Sequence, residues 1–322
     1  MRILVNLASA VFGLIITHNV LAQTYPDKPV RIIVPFPAGG ITDFQLRWAA
    51  QKLNQSWGQP VVVDNRPGAG GTLGTDMVAR APKDGYTLLG GNPGPLTIAP
   101  STYARLPYDP HRDLQPITLI AGWSSCVCAH PGVPFRTVRE MVALAKTRPG
   151  VINYGTPGVG TVGHLATELL ASMAKVKLTH IPYKGAPQIN SDLVAGYLDI
   201  AWVSVPGATP LVRQGKMRAL GVTSLTRVPQ LPDVPTVDEQ GIKGFESSNW
   251  NGLLGPAGMS RDIVNRIHAQ LARDLDAPDA SKYFTEPGYF VYGKGPDEFA
   301  QFIKAETEKW AKVVRDRGIT LQ

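Results

Sequence analysis

The chain has 322 residues, 43% of them hydrophobic and 18% charged, an ordinary globular composition with length enough for two domains. Its net charge of +7 comes from lysines and arginines scattered singly or in pairs; with no basic tract and no interleaved aromatics a nucleic-acid partner is not expected, whereas an anionic small ligand suits the mild positive field. Two cysteines, Cys126 and Cys128, and six histidines lying far apart provide neither a disulfide framework nor metal-ligand spacing, so no metal or other cofactor is expected.

The N-terminus reads MRILVNLASAVFGLIITHNVLAQTYP. Arg2, the mostly apolar stretch Ile3 to Ile16 and the Val20-Leu21-Ala22 step predict a secretory signal over residues 1–22, cut after Ala22. An apolar core of about 14 residues is short of the roughly 20 needed to span a bilayer, so a soluble, exported protein is expected. VRIIVPF (30–36) then reads as a buried strand of parallel-sheet type. ITDFQLRWAAQKLNQSWG follows as a helix with Phe44, Leu46, Ala49, Ala50 and Leu53 at core spacing and Gly58 as its stop. PVVVDN is a strand, GGTLGTDMVARAPKDG a short helix and YTLLGG a strand. This β-α-β-α-β order predicts a layered α/β sheet with right-handed crossovers.

A second series starts after ITLIAGWSSCVCAHP, whose two cysteines share one strand face and are expected to be buried and unbridged. Thr137 and Glu140 form a capping-box signature for VREMVALAKTRPG. VINYG, KLTHIPY, LDIAWVSV and MRALGVTS read as strands, with HLATELLASMAKV and INSDLVAGY as helices. SRDIVNRIHAQLARDLD and PDEFAQFIKAETEKWAKVVRDRG close the chain as helices, the latter with a core stripe of Phe299, Phe302, Ile303, Trp310, Val313 and Val314. The expected division is residues 23–123 with 251–322 as lobe one and 124–250 as lobe two. Crossovers are placed near Ile120–Cys126 and Asn249–Gly255, and the C-terminal helices return to lobe one.

Two strand–glycine–helix junctions match. In lobe one, VRIIVPF enters Pro37-Ala38-Gly39-Gly40 and then a helix from Thr42-Asp43; in lobe two, VINYG enters Thr156-Pro157-Gly158-Val159-Gly160 and then a helix from Thr161. Helix starts have amides without internal partners and favour anions, and open α/β sheets bind ligands at the carboxyl ends of their strands. If the lobes face each other, two sets of amides converge on a small ligand with one or two carboxylates. Thr42 or Asp43, and Thr156 or Thr161, are available as caps or as ligand contacts. Asp43, an acid beside an anion site, is read as capping the helix or orienting the loop, and His164 as a capping or ligand-orienting residue in preference to a general base. The glycines 158, 160 and 163 formally match a dinucleotide fingerprint, but the region that should carry its ribose-binding acid reads HIPYKG, with Lys184 in place, and the expected export also argues against such a cofactor. No G-x-S-x-G elbow, Walker loop or H-E-x-x-H is present.

The segments YPDKPVRIIVPFPAGGITD, VVVDNRPGAGG, APKDGYTLL, LPYDPHRDLQPITLIA, HIPYKGAPQ, LPDVPTVDEQG and GLLGPAGM together resemble the substrate-binding proteins of tripartite tricarboxylate transporters, the Bug family, from about Tyr25 to the C-terminus. The resemblance implies a two-lobed, type II periplasmic binding fold, α/β with parallel or mixed sheets flanked by helices and a ligand cleft between the lobes. It implies closure on a mono-, di- or tricarboxylate, aliphatic or aromatic, for delivery to integral-membrane permease subunits, and no catalysis. Carried over by position, Pro37, Ala38, Gly39 and Gly40 hold one ligand end, Gly158, Gly160, Thr161 and His164 the other, and Asn92, Pro93, Val203 and Ser204 line the rest. Two departures stand out: Pro93 and Pro95 alter the wall, and WVSVPGAT replaces the family's FDNLPSAL, losing an acid–amide pair. With Trp202 adjacent, this favours a less polar ligand body, unless Trp202 is core. The expected state is a monomer; the alternatives are an exported α/β enzyme acting on a small organic acid and a ligand sensor for a signalling receptor.

Overall fold

A computed structural model describes residues 25–183 and 186–319; the expected leader and Lys184 lie outside them. The strands are β1 (Val30–Val34), β2 (Val61–Asn65), β3 (Thr87–Gly91), β4 (Leu114–Ala129), β5 (Asn153–Thr156), β6 (Thr179–Pro182), β7 (Ile200–Ser204), β8 (Arg218–Val222), β9 (Ser248–Pro256) and β10 (Tyr289–Lys294). The helices are α1 (Ile41–Trp57), α2 (Thr72–Ala79), α3 (Ala99–Thr102), α4 (Val138–Thr147), α5 (Val162–Ala174), α6 (Ala186–Ala195), α7 (Val205–Arg213), α8 (Arg261–Asp276), α9 (Pro278–Ala280) and α10 (Pro296–Arg317). Among the described residues no helix is long and apolar enough to cross a membrane.

The sheet runs β2-β1-β3-β9-β4-β7-β5-β6, with β10 and β8 also on β4. β1 pairs β2 and β3 in parallel and β5 pairs β6 and β7 in parallel, while β9, β7, β8 and β10 all run antiparallel to β4. Each lobe is thus a parallel three-strand unit, and the antiparallel pair β4/β9 joins the two. Pro116 inside β4 sits where the ladder to β9 shifts register, so its missing N–H breaks no regular rung.

Alternation along the strands explains the cores. Val30, Ile32 and Val34 pack with α1 and α8 on one face of the sheet; Ile33 packs on the other with Leu89, Trp250 and the start of α10. Burial on both faces is why Ile32, Ile33 and Val34 of β1 read as an apolar run, while Arg31 at its start is exposed. In lobe two Val127 and Ala129 face one core, while Cys126 and Cys128, buried and unbridged, face the other.

The structure corrects several expectations. Phe44, placed on the core stripe of α1, is 37% exposed and stacks on Tyr283. α7 and β10 are elements that the sequence reading passed over. α10 does not simply return to lobe one: Phe299 and Ile303 pack in the lobe-one core, but Trp310, Val313 and Val314 pack with Tyr154, Leu165 and Leu170 of lobe two. At 22 residues it is about 33 Å long at 1.5 Å per residue, enough to reach both lobes.

Candidate functional site: a cleft of two compartments

The lobe-one junction is wired from behind. Gly40 at the N-cap of α1 is extended (φ −78°, ψ 170°) and offers no side-chain cap, so no side chain caps the first amides of the helix. Gly39 turns the chain at φ +82°, and its N–H donates to Asp43 Oδ2 at 2.9 Å. Arg47 Nε donates to the same oxygen at 2.9 Å, and Asn65 Nδ2, at the end of β2, donates to Asp43 Oδ1 at 2.9 Å and to the Phe36 carbonyl at 3.0 Å. Burial alone would raise the Asp43 pKa, but these bonds from Arg47, Gly39 and Asn65 outweigh it and hold the carboxyl below its ordinary range. Asp43 therefore orients the loop, as its charge suggested.

In lobe two Thr161 is the N-cap of α5: its hydroxyl donates to the Gly158 carbonyl at 2.8 Å and accepts from the His164 N–H at 3.4 Å. His164 is buried, its Nδ1 accepting the Gly160 N–H at 3.3 Å. Its ring stacks on His180 at 4.3 Å between centroids, and His180 stacks on Tyr154 at 4.9 Å. Tyr154 Oη donates to Glu168 Oε1 at 2.8 Å, and Arg317 of α10 reaches Glu168 Oε2 at 2.7 Å. Burial first, then the His180 ring, pushes the His164 pKa down to about 4, so it is neutral in ordinary buffer and serves as an acceptor.

Between the lobes lie two adjoining compartments that share Thr161, Val162 and Asn249. Compartment A, about 190 Å³, is lined among others by Phe36, Asn92, Pro93, Tyr103, Val159 and Gly160. Compartment B, about 220 Å³, is lined by Ile41, Trp123, Ser125, Gly163, Trp202 and Ser204 among others. Three helix starts meet at compartment B: Ile41 opens α1, Thr161 to Gly163 open α5, and Ser204 is the N-cap of α7, which has no side-chain cap. Among the described residues, the lining of both compartments holds no Lys, Arg, His, Asp or Glu. Helix-end partial charge is the positive potential available there.

The floor is the β4/β9 ribbon, whose pleat sorts its residues. Trp123 pairs with Asn249 and Ser125 with Ser204, and all four face compartment B. Ser124 pairs with Ser248, and both line a separate groove of about 580 Å³ with Arg227, Gln230, Tyr289 and Tyr292. Cleft and groove are thus served by opposite faces of the same two strands.

Of the residues singled out from sequence, Asn92, Gly160, Thr161 and Ser204 line the compartments, as do Pro93, Val203 and Trp202. Pro37, Ala38, Gly39 and Gly40 form an exposed loop that lines neither, and Asp43, Gly158 and His164 stand behind the lining. Pro95 is buried, its carbonyl accepting from Tyr108 Oη at 2.8 Å. Ile41, Trp123, Ser125, Gly163 and Asn249 were missed. Once the crossovers are placed at GWSSC and NWNG, period-2 alternation is the signal that separates Trp123 and Ser125 from Ser124.

The profile of the tripartite tricarboxylate transporter family receptor matches residues 45–319. A UPF0065 protein in the tcbD-tcbE intergenic region of Pseudomonas sp. is 39% identical over 317 residues, which is 97% of this chain and 93% of that one. Rpa4515 of R. palustris, solved with adipate, superposes with a TM-score of 0.84 at 33% identity, covering 92% of this chain and 99% of its own. MatC of Rhodopseudomonas palustris, solved with bound malate, does so at 0.80 and 32%, covering 90% and 100%. The chain belongs to the tripartite tricarboxylate transporter receptor family, the Bug proteins, which are two-lobed periplasmic solute-binding proteins.

Proposed function

We propose that the protein captures a small carboxylate in the cleft and presents the closed form to the permease subunits of a tripartite tricarboxylate transporter, after export and cleavage following Ala22. The observation that carries this reading is the meeting of three helix starts at compartment B with no charged side chain among the described lining residues. Each partly buried helix end contributes about 1 kcal/mol toward an anion, so three supply roughly 3 kcal/mol. The adipate and malate held by the two solved relatives support the same ligand class. Ser204 is the first hydroxyl contact, beside the α5 start at Thr161, with Asn92 and Gly160 lining the far end, while Asp43 and His164 set loop geometry from behind. The exposed Pro37–Gly40 loop reaches the ligand only when the lobes close. Closure bends β4 near Trp123–Ser124 and β9 near Ser248–Trp250, dividing 23–123 and 251–322 from 124–250, with α10 strapping one side. The protein is a monomer and no enzyme: His164, at a pKa of about 4 and engaged by the Gly160 amide, is a poor general base at neutral pH.

A thermal-shift screen of mono-, di- and tricarboxylates tests this. A ligand at a hundredfold excess over its Kd stabilises the folded state by about 2.7 kcal/mol. Gly163→Val should abolish the shift with little loss of stability. A Cβ there meets nothing nearer than Trp202 Cβ at 3.5 Å, and Gly163 lines compartment B in the first turn of α5, where added branches would compete with the ligand. Folded, ligand-free protein that shifts with no acid would overturn the reading.

A further inference from the structure

The two compartments differ in what they leave unspent, and that difference bears on the cargo; the argument rests on the carboxylate reading above. In compartment B the first amides of α1 and α7 have no side-chain cap. In compartment A four donors are committed to the protein, while the α5 start and Asn249 are shared with compartment B. The Gly160 N–H is held by His164 Nδ1 at 3.3 Å and the Gly94 N–H by Asn92 Oδ1 at 3.1 Å. The Tyr103 hydroxyl is given to the Ala69 carbonyl at 3.0 Å, and the Thr102 hydroxyl to the Ile98 carbonyl at 3.2 Å. Among the described residues no cationic side chain compensates in either compartment. A carboxylate entering compartment A would lose its hydration and find, beyond the elements shared with compartment B, mostly spent donors, a severe cost for an ion.

The walls point the same way. Compartment B carries Trp123, Trp202, Ile41, Ile189 and Val203; compartment A carries Phe36, Pro93, Ala99, Tyr103 and Val159. A cavity of about 150 Å³ suffices for a benzene ring, so compartments of about 190 and 220 Å³ have room for a ring and its carboxylate. We infer that the cargo is a ring-bearing monocarboxylate, its single carboxylate at the three helix starts of compartment B and its apolar end in compartment A.

The experiment is calorimetric titration of the wild-type protein with benzoate, phenylacetate and cyclohexanecarboxylate against adipate, malate and citrate, with benzyl alcohol as the neutral control. The tightest ring monoacid should bind at least tenfold more tightly than every di- or triacid, a difference of about 1.4 kcal/mol. Tighter binding of adipate, malate or citrate would overturn the inference and leave carboxylate capture standing; binding of no acid at all would overturn both. Benzyl alcohol binding as tightly as benzoate would overturn the single-anion head. As a second arm, Val159→Lys places a cation at compartment A from a position already 41% exposed. It should raise affinity for adipate at least tenfold, and an unchanged adipate affinity would show that compartment A already accommodates a second charge, overturning the inference.

Discussion

The two glycine junctions look alike as sequence and are built differently. At the first, the turn is exposed, the helix behind it is uncapped, and a charged residue on that helix, Asp43, draws the Gly39 amide back. At the second, Thr161 caps the helix and a neutral ring, His164, draws the Gly160 amide back, supported by a stack that ends in the Glu168–Arg317 pair on α10. A strand–glycine–helix pattern thus locates free amides but does not say which are already taken. That depends on side chains four residues further on, at positions 43 and 164, and on what packs around them.

The comparison breaks first in acid. Burial and the His180 ring put the His164 pKa near 4 in the folded protein, against about 6.5 unfolded, so the unfolded chain takes up a proton first as pH falls. Stability should be level above about pH 6.5 and fall between there and pH 4, by about 3 kcal/mol from this group, with His180 shifted in the same direction. His164→Asn, which keeps an acceptor near Gly160, should flatten that slope in urea melts taken across the range; an unchanged slope would mean that the histidine stack is not the sensitive part. Asp43 acts in a separate window. Its folded pKa is lowered, so its contribution is lost only as pH falls through about 4 and below.

Next in size is Asp43→Ala, which strands the Gly39 amide and Asn65 and frees Arg47. It should cost about 2 kcal/mol, discounted because the Arg47 side chain is 52% exposed. Chemical denaturation checks this, and a cost near zero would show that the loop holds itself. The smallest effect is expected for Gly39→Ala. Nothing lies within 4 Å of the new Cβ, so only the φ of +82° opposes it, at about 1 kcal/mol. A much larger loss in a thermal melt would reveal a constraint on the lobe-one turn beyond its backbone.

Much of the fold was legible. The run VRIIV implied burial on both faces, Thr137 does cap α4 with the Glu140 N–H at 3.1 Å, and the cysteines lie buried on one strand face. The capping box differs in detail, since the Glu140 carboxylate takes the N–H of Arg136 and not that of Thr137. α7 was illegible because VPGATPLVR, with two prolines and a glycine, has a loop's composition; it is helical because Val205, Ala208 and Thr209 bury against the sheet, overriding propensity. β10 lies between the turn signals Pro287-Gly288 and Gly295-Pro296, but its short run interrupted by Gly293 marks it as a strand only once it pairs with β4.

Local chemistry, then, was largely determined by the sequence alone: most strands and helices, α7 and β10 excepted, where glycine opens a turn, and that Asp43 serves its own loop. Period and propensity are properties of neighbours in the chain. The tertiary structure alone decided that Ile41, Gly163 and Ser204 meet in one compartment, that Trp123 and Ser125 face it while Ser124 faces the opposite groove, and that α10 ties the lobes together. These depend on the register of β4 against β9 and β7, and on packing between residues more than a hundred positions apart. No local pattern in the sequence encodes such distances.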